Sequence, residues 1–198
     1  MTCWRAVQAS RYAILLALAG TAGCERDPLP PPATEPVTRQ VIQLFARTQP
    51  DTLRPSAFDM LVMTEVRFGG DNFDFVFDMG PDSRFGLGTT GNTIAVLLPR
   101  GAFTQARASG LQRSLITFDS IRAAPVTGYF ADQPIAIGTG DALLAASRLL
   151  TCMTNYQAPR YAKLYVESVD FSTLSATIIV VTDPNCGYRS LEPGLPTY

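Results

Sequence analysis

The sequence predicts a mainly β, antiparallel fold, either a sandwich or a barrel-like sheet, with one or two short helices. Two runs near the C-terminus support this prediction. In residues 161–167 apolar and polar side chains alternate with the period of two that a pleated strand requires. In residues 176–181 four large aliphatic side chains are consecutive, which is typical of a central strand covered on both faces. Asp170, Ser172 and Thr173 favour a hairpin between the two runs.

Further strands are predicted where alternating or apolar runs are bounded by glycine, proline or aspartate. They cover residues 73–78, 93–98, 114–121 and 134–137. In the first of these runs the phenylalanines face inward and the aspartates form an exposed acidic face.

Two stretches have a less clear pattern. Residues 41–45 have apolar side chains at helical spacing behind Thr38, a residue type that caps helices, so a short helix is predicted there. Residues 140–152 fit two structures equally. One is a helix capped by Asp141, and the other is a strand in a hairpin with residues 161–167.

Residues 1–23 have the pattern of an export signal. Arg5 and Arg11 supply its positive charge, and residues 12–20 form an apolar run about half as long as a membrane span. A run of that length is too short to remain across a bilayer. We therefore expect the chain to be exported.

The small residues before Cys24 resemble the lipobox of bacterial lipoproteins. That resemblance implies that Cys24 is lipidated and becomes the mature N-terminus. Thr21 stands where such boxes usually carry leucine, so ordinary cleavage near Ala19 or Ala22 is the alternative. Glu25 differs from the aspartate that signals inner-membrane retention in many lipoproteins. The resemblance then implies the periplasmic face of the outer membrane or the cell surface.

Composition, together with the lipobox resemblance, predicts three parts of the chain. Residues 1–23 are the signal, residues 24–37 a lipid-anchored, proline-rich tether, and residues 38–198 a single β-rich domain. Five prolines fall within residues 28–36, which favours an extended spacer. A chain of this length buries roughly 70% of its unfolded surface, enough for one sizeable core.

The charge balance argues against a nucleic-acid surface. Loss of residues 1–23 takes Arg5 and Arg11 from the 16 basic residues, leaving 14 against 17 acidic ones and a formal charge of −3. Lys163 is the only lysine, and the arginines are scattered singly. No basic patch results, so we expect no nucleic-acid partner.

Cys152 and Cys186 are an even pair in the mature chain, because Cys3 leaves with the signal and Cys24 is assigned to the lipid. An even pair in an oxidising compartment predicts a disulfide. In the chain-entropy model this bond stabilises the fold by about 3.8 kcal/mol. With no histidine and no further cysteine, the pair cannot complete a zinc site.

Residues 161–166, YAKLYV, and residues 184–196, PNCGYRSLEPGLP, resemble the C-terminal segment of a group of uncharacterised bacterial lipoproteins. Residues 73–78, FDFVFD, fit the same pattern. The resemblance covers about the last two-thirds of the chain. It implies export and a β-rich fold, and it implies no activity.

The chain contains no histidine. Ser-His-Asp and Cys-His nucleophile systems therefore cannot form, and the commonest general base is missing. A serine–lysine pair would need Lys163, which no Ser-x-x-Lys motif accompanies. We interpret Lys163 as a surface lysine with its amine in water. The sequence predicts no catalytic residue and no cofactor.

Gly86, Gly88 and Gly91 match the G-x-G-x-x-G spacing of dinucleotide sites. That motif needs a helix after it, so that the helix N-terminus meets the pyrophosphate. Here residues 92–98 continue with a strand pattern. We therefore interpret the glycines as a turn.

Asp71, Asp74, Asp78 and Asp82 form the one acidic cluster. Asp74 and Asp78 lie four residues apart on one face of a strand, ~13 Å at ~3.3 Å per residue, which is too far for a glycosidase carboxylate pair. Asp71, Asp74 and Asp82 are calcium candidates by their oxygen ligands, although the chain has no EF-hand loop. The simplest interpretation is a solubilising face that protects an edge strand.

Arg160, Tyr161 and Tyr165 are residue types that anchor protein interfaces, and they form a candidate partner face. Packing beneath a second layer is the alternative. We expect a lipid-anchored cell-envelope protein that acts as a non-catalytic binding or assembly module for an envelope protein partner. The alternatives are an enzyme that uses Asp74 or Asp78 on an envelope polymer, and a calcium-dependent binding module.

Overall fold

The computed structural model describes residues 31–70, 72–104, 109–153 and 156–197, which form twelve strands and three one-turn 3-10 helices. The strands are β1 (Thr38–Phe45), β2 (Ala57–Asp59), β3 (Thr64–Val66), β4 (Phe75–Pro81), β5 (Thr93–Pro99), β6 (Gly110–Arg113), β7 (Ile135–Ile137), β8 (Ala142–Ala146), β9 (Leu150–Met153), β10 (Tyr156–Ala158), β11 (Tyr161–Asp170) and β12 (Ser175–Asp183). The 3-10 helices span Asp82–Phe85, Arg100–Ala102 and Phe118–Ser120. None of these described segments is a helix with the length and apolarity needed to span a bilayer.

The strands form two five-stranded antiparallel sheets and one separate hairpin. The first sheet has the order β1-β12-β11-β8-β6, and the second has the order β3-β2-β4-β5-β7. In the part of the chain that the structure describes, β9 and β10 pair only with each other. The predicted mainly β, antiparallel fold is confirmed, and it takes the form of a sandwich.

The core lies between the facing surfaces of the two sheets. Leu164 and Ile178 enter it from the first sheet, and Phe58, Phe75 and Phe77 enter it from the second. All five are fully buried. Burying an aliphatic or aromatic side chain of this size stabilises a fold by roughly 1.5–3 kcal/mol. Because this burial is favourable, the alternation of apolar and polar side chains in residues 161–167 determines which face of β11 meets the core.

The predicted hairpin near the C-terminus is confirmed as β11 and β12. Asp170 closes its turn, since one carboxylate oxygen accepts hydrogen bonds from the backbone N–H groups of Ser172 at 2.8 Å and Thr173 at 3.2 Å. Strand β12 pairs with β1 on one edge and β11 on the other, and eight of its nine residues are buried, so side chains on both of its faces are covered, as its run of aliphatic residues predicts.

The helix predicted at residues 41–45 is wrong, because these residues belong to strand β1. Ile42 and Leu44 are buried, whereas Val41 and Gln43 are exposed. All 8 residues of β1 pair with β12. This pairing and the burial of alternate side chains outweigh local helix propensity, which is a weak preference.

Residues 140–152 contain strand β8 and most of β9, so the strand alternative is the one that the chain adopts. Strand β8 lies between β11 and β6, and four of its five side chains are buried. Apolar residues on both faces hide the period of two. Ala142 pairs with Tyr165 and Ala146 with Tyr161, so the predicted antiparallel pairing with residues 161–167 is confirmed, but the connection is not a local hairpin because β9 and β10 lie between the two strands in the chain.

The strand predicted at residues 114–121 is wrong. Strand β6 ends before it at Arg113, and the segment forms a loop that contains the turn Phe118–Ser120. Ser114 Oγ accepts a hydrogen bond from the Ile116 N–H at 3.2 Å, so a hydroxyl group satisfies backbone that a strand partner would otherwise satisfy. The strands predicted at residues 93–98 and 134–137 are confirmed as β5 and β7.

Strand β4 lies between β2 and β5, so it is a central strand and not an edge. Its second face is covered as well, because Val76 packs with Ala57 and Phe73 in a separate apolar cluster. Asp74 and Asp78 are both buried. The predicted exposed acidic face is therefore wrong for these two residues.

The last residues of the predicted tether pack against the C-terminal segment of the domain. Asn185 Oδ1 accepts hydrogen bonds from the N–H groups of Thr34 at 2.9 Å and Glu35 at 3.1 Å. Asn185 Nδ2 donates to the Glu35 carbonyl oxygen at 2.7 Å, and the Ala33 N–H donates to the Tyr188 hydroxyl at 3.2 Å. These contacts fix where the N-terminal segment meets the sandwich.

Candidate binding groove

Arg148 links two buried aspartates of the second sheet to the end of β8 in the first. Its guanidinium lies 3.1 Å from Asp74 and 2.9 Å from Asp59. The backbone N–H groups of Arg148 and Met60 also donate to Asp74, both at 2.7 Å. Burial raises the pKa of Asp74, and the hydrogen bond and charge of Arg148 partly offset that rise. This cluster links the two sheets through two carboxylates that are both buried.

Asp78 has a separate set of partners. Its carboxylate lies 3.3 Å from Arg47 and 3.0 Å from Arg84, and it accepts a hydrogen bond from the Thr48 hydroxyl at 2.7 Å. Asp74 and Asp78 are thus held in two different ion-pair clusters. The structure does not bring them together as a catalytic carboxylate pair.

The glycine-rich loop at residues 86–91 closes around Asp82. The Asp82 carboxylate accepts hydrogen bonds from the Thr90 hydroxyl at 2.7 Å and the Gly91 N–H at 2.8 Å, and the Thr90 hydroxyl contributes most to lowering its pKa. A Cβ atom on Gly88 would lie 2.3 Å from Asp82 Oδ2. The predicted turn is confirmed, and the chain's own carboxylate takes up the N–H and hydroxyl groups of this loop.

Cys152 in β9 and Cys186 after β12 form a disulfide, as the sequence predicts, with their Cα atoms 6.0 Å apart. The bond ties the β9–β10 hairpin to the segment that also holds the N-terminal residues. Two further predicted site residues, Cys24 and Asp71, lie outside the described residues. Lipidation at Cys24 stays a prediction.

The three residues of the predicted partner face have different environments. Tyr161 is 7% exposed and packs beside Tyr129, with ring centroids 6.0 Å apart. The Arg160 guanidinium donates to the carbonyl oxygen of Leu61, which lies in the turn between β2 and β3. Tyr165 is partly exposed on the outer face of the first sheet. Arg160 is partly exposed as well, but its guanidinium is engaged by Leu61, so Tyr165 is the one of the three that lies on an open surface without such a contact.

Tyr165 lies in a groove of about 710 Å³ on the outer face of the first sheet. Ile179 lies beside it in the floor, since the two residues are paired across β11 and β12. The loop at residues 114–119 forms one wall, and its Phe118 ring lies 5.6 Å from the Tyr165 ring. In the same wall Leu115 is 99% exposed and Ile116 is 55% exposed. An exposed apolar cluster of this kind is typical of an interaction site.

Lys163 fastens the wall of the groove to its floor. Lys163 is 8% exposed, so the surface lysine predicted from the sequence is wrong. Its amine donates to the carbonyl oxygens of Ile121 at 2.8 Å and Phe118 at 3.3 Å, and it lies 4.7 Å from the centre of the Phe118 ring. Burial lowers the pKa of Lys163, and the nearby charge of Asp119 acts in the opposite direction.

The charged side chains of the groove are unevenly paired. Arg113 lies 2.7 Å from Asp141, so these two charges neutralise each other at one end. Within the described ranges Arg39 forms no side-chain hydrogen bond and no ion pair. An exposed guanidinium beside an apolar, aromatic floor can bind a carboxylate while the floor binds an apolar side chain.

Sequence reasoning missed the groove wall, because it placed Leu115, Ile116 and Phe118 in a strand. The signal that could have identified a loop is the pair of adjacent apolar residues between Ser114 and Thr117, which breaks a strict alternation. Comparison with protein-family models, curated proteins and solved structures found no match to this chain.

Proposed function

We propose that this chain is an exported, lipid-anchored cell-envelope protein that binds a protein partner without catalysing a reaction. The export signal, the lipid on Cys24 and the position at the outer membrane are inferred from the sequence. A Cys152–Cys186 disulfide suits an oxidising compartment. The lipid would hold the chain at the membrane, and the groove would hold the partner.

The observation that supports binding most strongly is the exposed apolar cluster around Tyr165. Phe118 and Tyr165 offer aromatic surface beside the guanidinium of Arg39, and aromatic residues and arginine are the types that dominate interface energetics. Leu115 extends the apolar surface at the rim, where it is almost fully exposed. A partner that covers these residues removes apolar area from water.

The described aspartates lend no comparable support to the two alternative functions. Asp74 is buried against Arg148, and Asp78 is buried against two arginines, so neither faces a cleft that an envelope polymer could enter. The Asp82 carboxylate accepts its hydrogen bonds from its own loop, which leaves little capacity for a calcium ion.

The experiment compares two aromatic-to-alanine variants of the full chain in pull-downs from envelope extract. Tyr165→Ala removes the aromatic side chain from the floor of the groove, and Phe171→Ala removes an aromatic residue that is 53% exposed in the β11–β12 turn, outside the groove. Truncation of a central interface aromatic costs 2 kcal/mol or more, about thirtyfold in affinity. We expect Tyr165→Ala to release the partner and Phe171→Ala to retain it. Equal retention by both variants would refute the proposal.

A further inference from the structure

Strand β1 is an outer strand of the first sheet, and among the described strands only β12 lies beside it. Several of its backbone N–H groups point away from β12. Just before the strand, the Val37 N–H donates to the Gly194 carbonyl oxygen at 2.9 Å. Within the strand, the Gln43 N–H donates to the Glu65 side chain at 3.3 Å, and the Phe45 N–H donates to the Pro55 carbonyl oxygen at 2.9 Å. The odd-numbered residues of this segment therefore direct their backbone groups outward.

In an antiparallel pair, alternate residues point their N–H and C=O groups to the same side. Arg39 and Val41 lie between Val37 and Gln43, so they share the outward direction. No described residue accepts or donates a hydrogen bond at these outward groups. Val41 is 60% exposed, and Arg39 is exposed as well. The middle of this edge is therefore open.

Two other outer strands are covered. In β6, Leu111 exchanges two backbone hydrogen bonds with Phe130, at 3.0 and 2.8 Å. In β7, the Ala136 carbonyl oxygen accepts a hydrogen bond from the Arg113 side chain. Folded proteins usually block sheet edges in such ways, since a free edge is a template for another strand. The middle of β1 thus differs from the edges of β6 and β7, because no described group blocks its outward backbone groups.

We propose that an extended segment of the partner polypeptide adds to the first sheet as a strand beside β1. This inference rests on the proposed binding function and names the class of ligand. N–H and C=O groups that point outward at the spacing of a strand form hydrogen bonds with the main chain of another extended polypeptide. Neither a lipid nor a sugar carries donors and acceptors in this alternating order. Gly194 at one end and Pro55 at the other limit the window to residues 39–43, about 13 Å long, and within it the outward N–H groups of Arg39 and Val41 are open whereas that of Gln43 is bonded to the Glu65 side chain.

The side chains beside the window indicate which residues the added partner strand should contain. Val41 pairs with Ile179, and Ile179 pairs with Tyr165, so one apolar row runs from the open edge into the groove. Arg39 has no carboxylate partner among the described residues, which favours an acidic residue in the added strand. A second copy of this chain fits poorly. Symmetric pairing about residue 40 would place Gln43 of one copy against Val37 of the other, where Gly194 already lies.

The probe is a fluorescent eight-residue peptide in which valine and threonine alternate around one central aspartate, titrated against the full chain in detergent micelles by polarisation. Val41→Pro removes one outward N–H and leaves the ladder to β12 intact, because proline is tolerated at outward positions of edge strands. Val41→Thr is the matched control that keeps the N–H and the branched shape. We expect Val41→Pro to weaken binding about tenfold and Val41→Thr less than twofold.

Two N-methylated versions of the peptide, one for each set of alternate amides, make the test independent of any variant's stability. Strand addition predicts that methylation of one set abolishes binding and methylation of the other does not, since only one set faces β1. Equal effects of the two methylations, unchanged binding by Val41→Pro, or no binding by the wild-type chain would each overturn the strand proposal. If envelope pull-downs still lose the partner with Tyr165→Ala but not with Val41→Pro, the groove function stands and the added strand does not.

Discussion

The Nζ atom of Lys163 lies 2.8 Å from the carbonyl oxygen of Ile121, and this contact joins the floor of the groove to its wall. The two residues are 42 positions apart in sequence, so the contact exists only in the folded domain. The same amine also contacts the carbonyl oxygen and the ring of Phe118. We infer that the only lysine of the chain positions the loop at residues 114–121.

Lys163→Met should loosen this loop without unfolding the sandwich. The substitution removes both hydrogen bonds to the loop, and it also removes the cost of burying a charge, so the two effects on global stability oppose each other. Hydrogen exchange is the measurement. The amides of Ser120 and Ile121, which close the turn, should exchange faster, while the Val180 amide in β12 should not change. Unchanged exchange at Ser120 and Ile121 would show that the lysine does not hold the loop.

Arg148→Met should be among the most damaging single substitutions. It leaves Asp59 and Asp74 buried without their cation, and removing one partner of a buried ion pair costs about 3–5 kcal/mol. The control is Arg122→Met, whose pair with Glu192 is exposed and should cost about 1 kcal/mol or less. Urea unfolding at pH 7 measures the loss of stability in both variants. Similar losses in the two variants would mean that the buried cluster contributes no more than a surface pair.

The loss of unfolding free energy caused by Arg148→Met should also depend on pH. Burial already raises the pKa of Asp74, so the native state binds this proton more tightly than the unfolded chain does. The stability contribution of the group therefore falls as pH rises from its ordinary pKa through the raised one. Without the arginine the pKa rises further, and the loss of stability should be smaller at pH 4.5 than at pH 7. An equal loss at both pH values would contradict this assignment.

Replacement of both cysteines, Cys152→Ser with Cys186→Ser, should lower the free energy of unfolding by about 2–4 kcal/mol, because the unfolded chain regains loop entropy. Adding reductant to the wild-type chain should reproduce this loss and leave the double variant unchanged. If peptide mapping without reductant finds both thiols alkylated, the disulfide does not form in the purified protein.

Gly88→Ala tests the loop around Asp82. The added Cβ would lie 2.3 Å from the Asp82 carboxylate, so the loop must shift and lose hydrogen bonds, at a cost of about 1–3 kcal/mol. Gly70→Ala is the control, since nothing lies within 4 Å of its Cβ position. Thermal unfolding compares the two. Equal melting temperatures would show that the close approach of Gly88 to Asp82 is not required.

The strands with clear local patterns could be predicted from the sequence. Four aliphatic residues ending at Val181 require cover on both faces, and the alternation around Leu164 fixes one buried face, so β11 and β12 follow from local rules. Strand β1 was not predictable in this way. Its state is decided by pairing with β12, whose residues are more than 100 positions away.

The charged clusters and the groove depend on contacts that no local pattern contains. Asp74 is buried because Arg148, 74 positions later, arrives beside it when the sheets pack. Lys163 is buried because the loop from Phe118 to Ile121 folds over the sheet. The sequence did identify Tyr165 as a candidate partner residue, but the wall opposite it comes from a segment predicted as a strand.

The most direct test of the binding groove is site-specific photo-crosslinking in intact cells. A benzophenone side chain replaces Leu115 in the groove wall, or Phe171 in the β11–β12 turn as an exposed control. We predict that irradiation links the chain carrying the probe at position 115 to one polypeptide of defined mass, and that the position 171 probe gives no such product. Tyr165→Ala should abolish the product at position 115. No product at position 115, or the same product from both positions, would contradict a partner site in this groove.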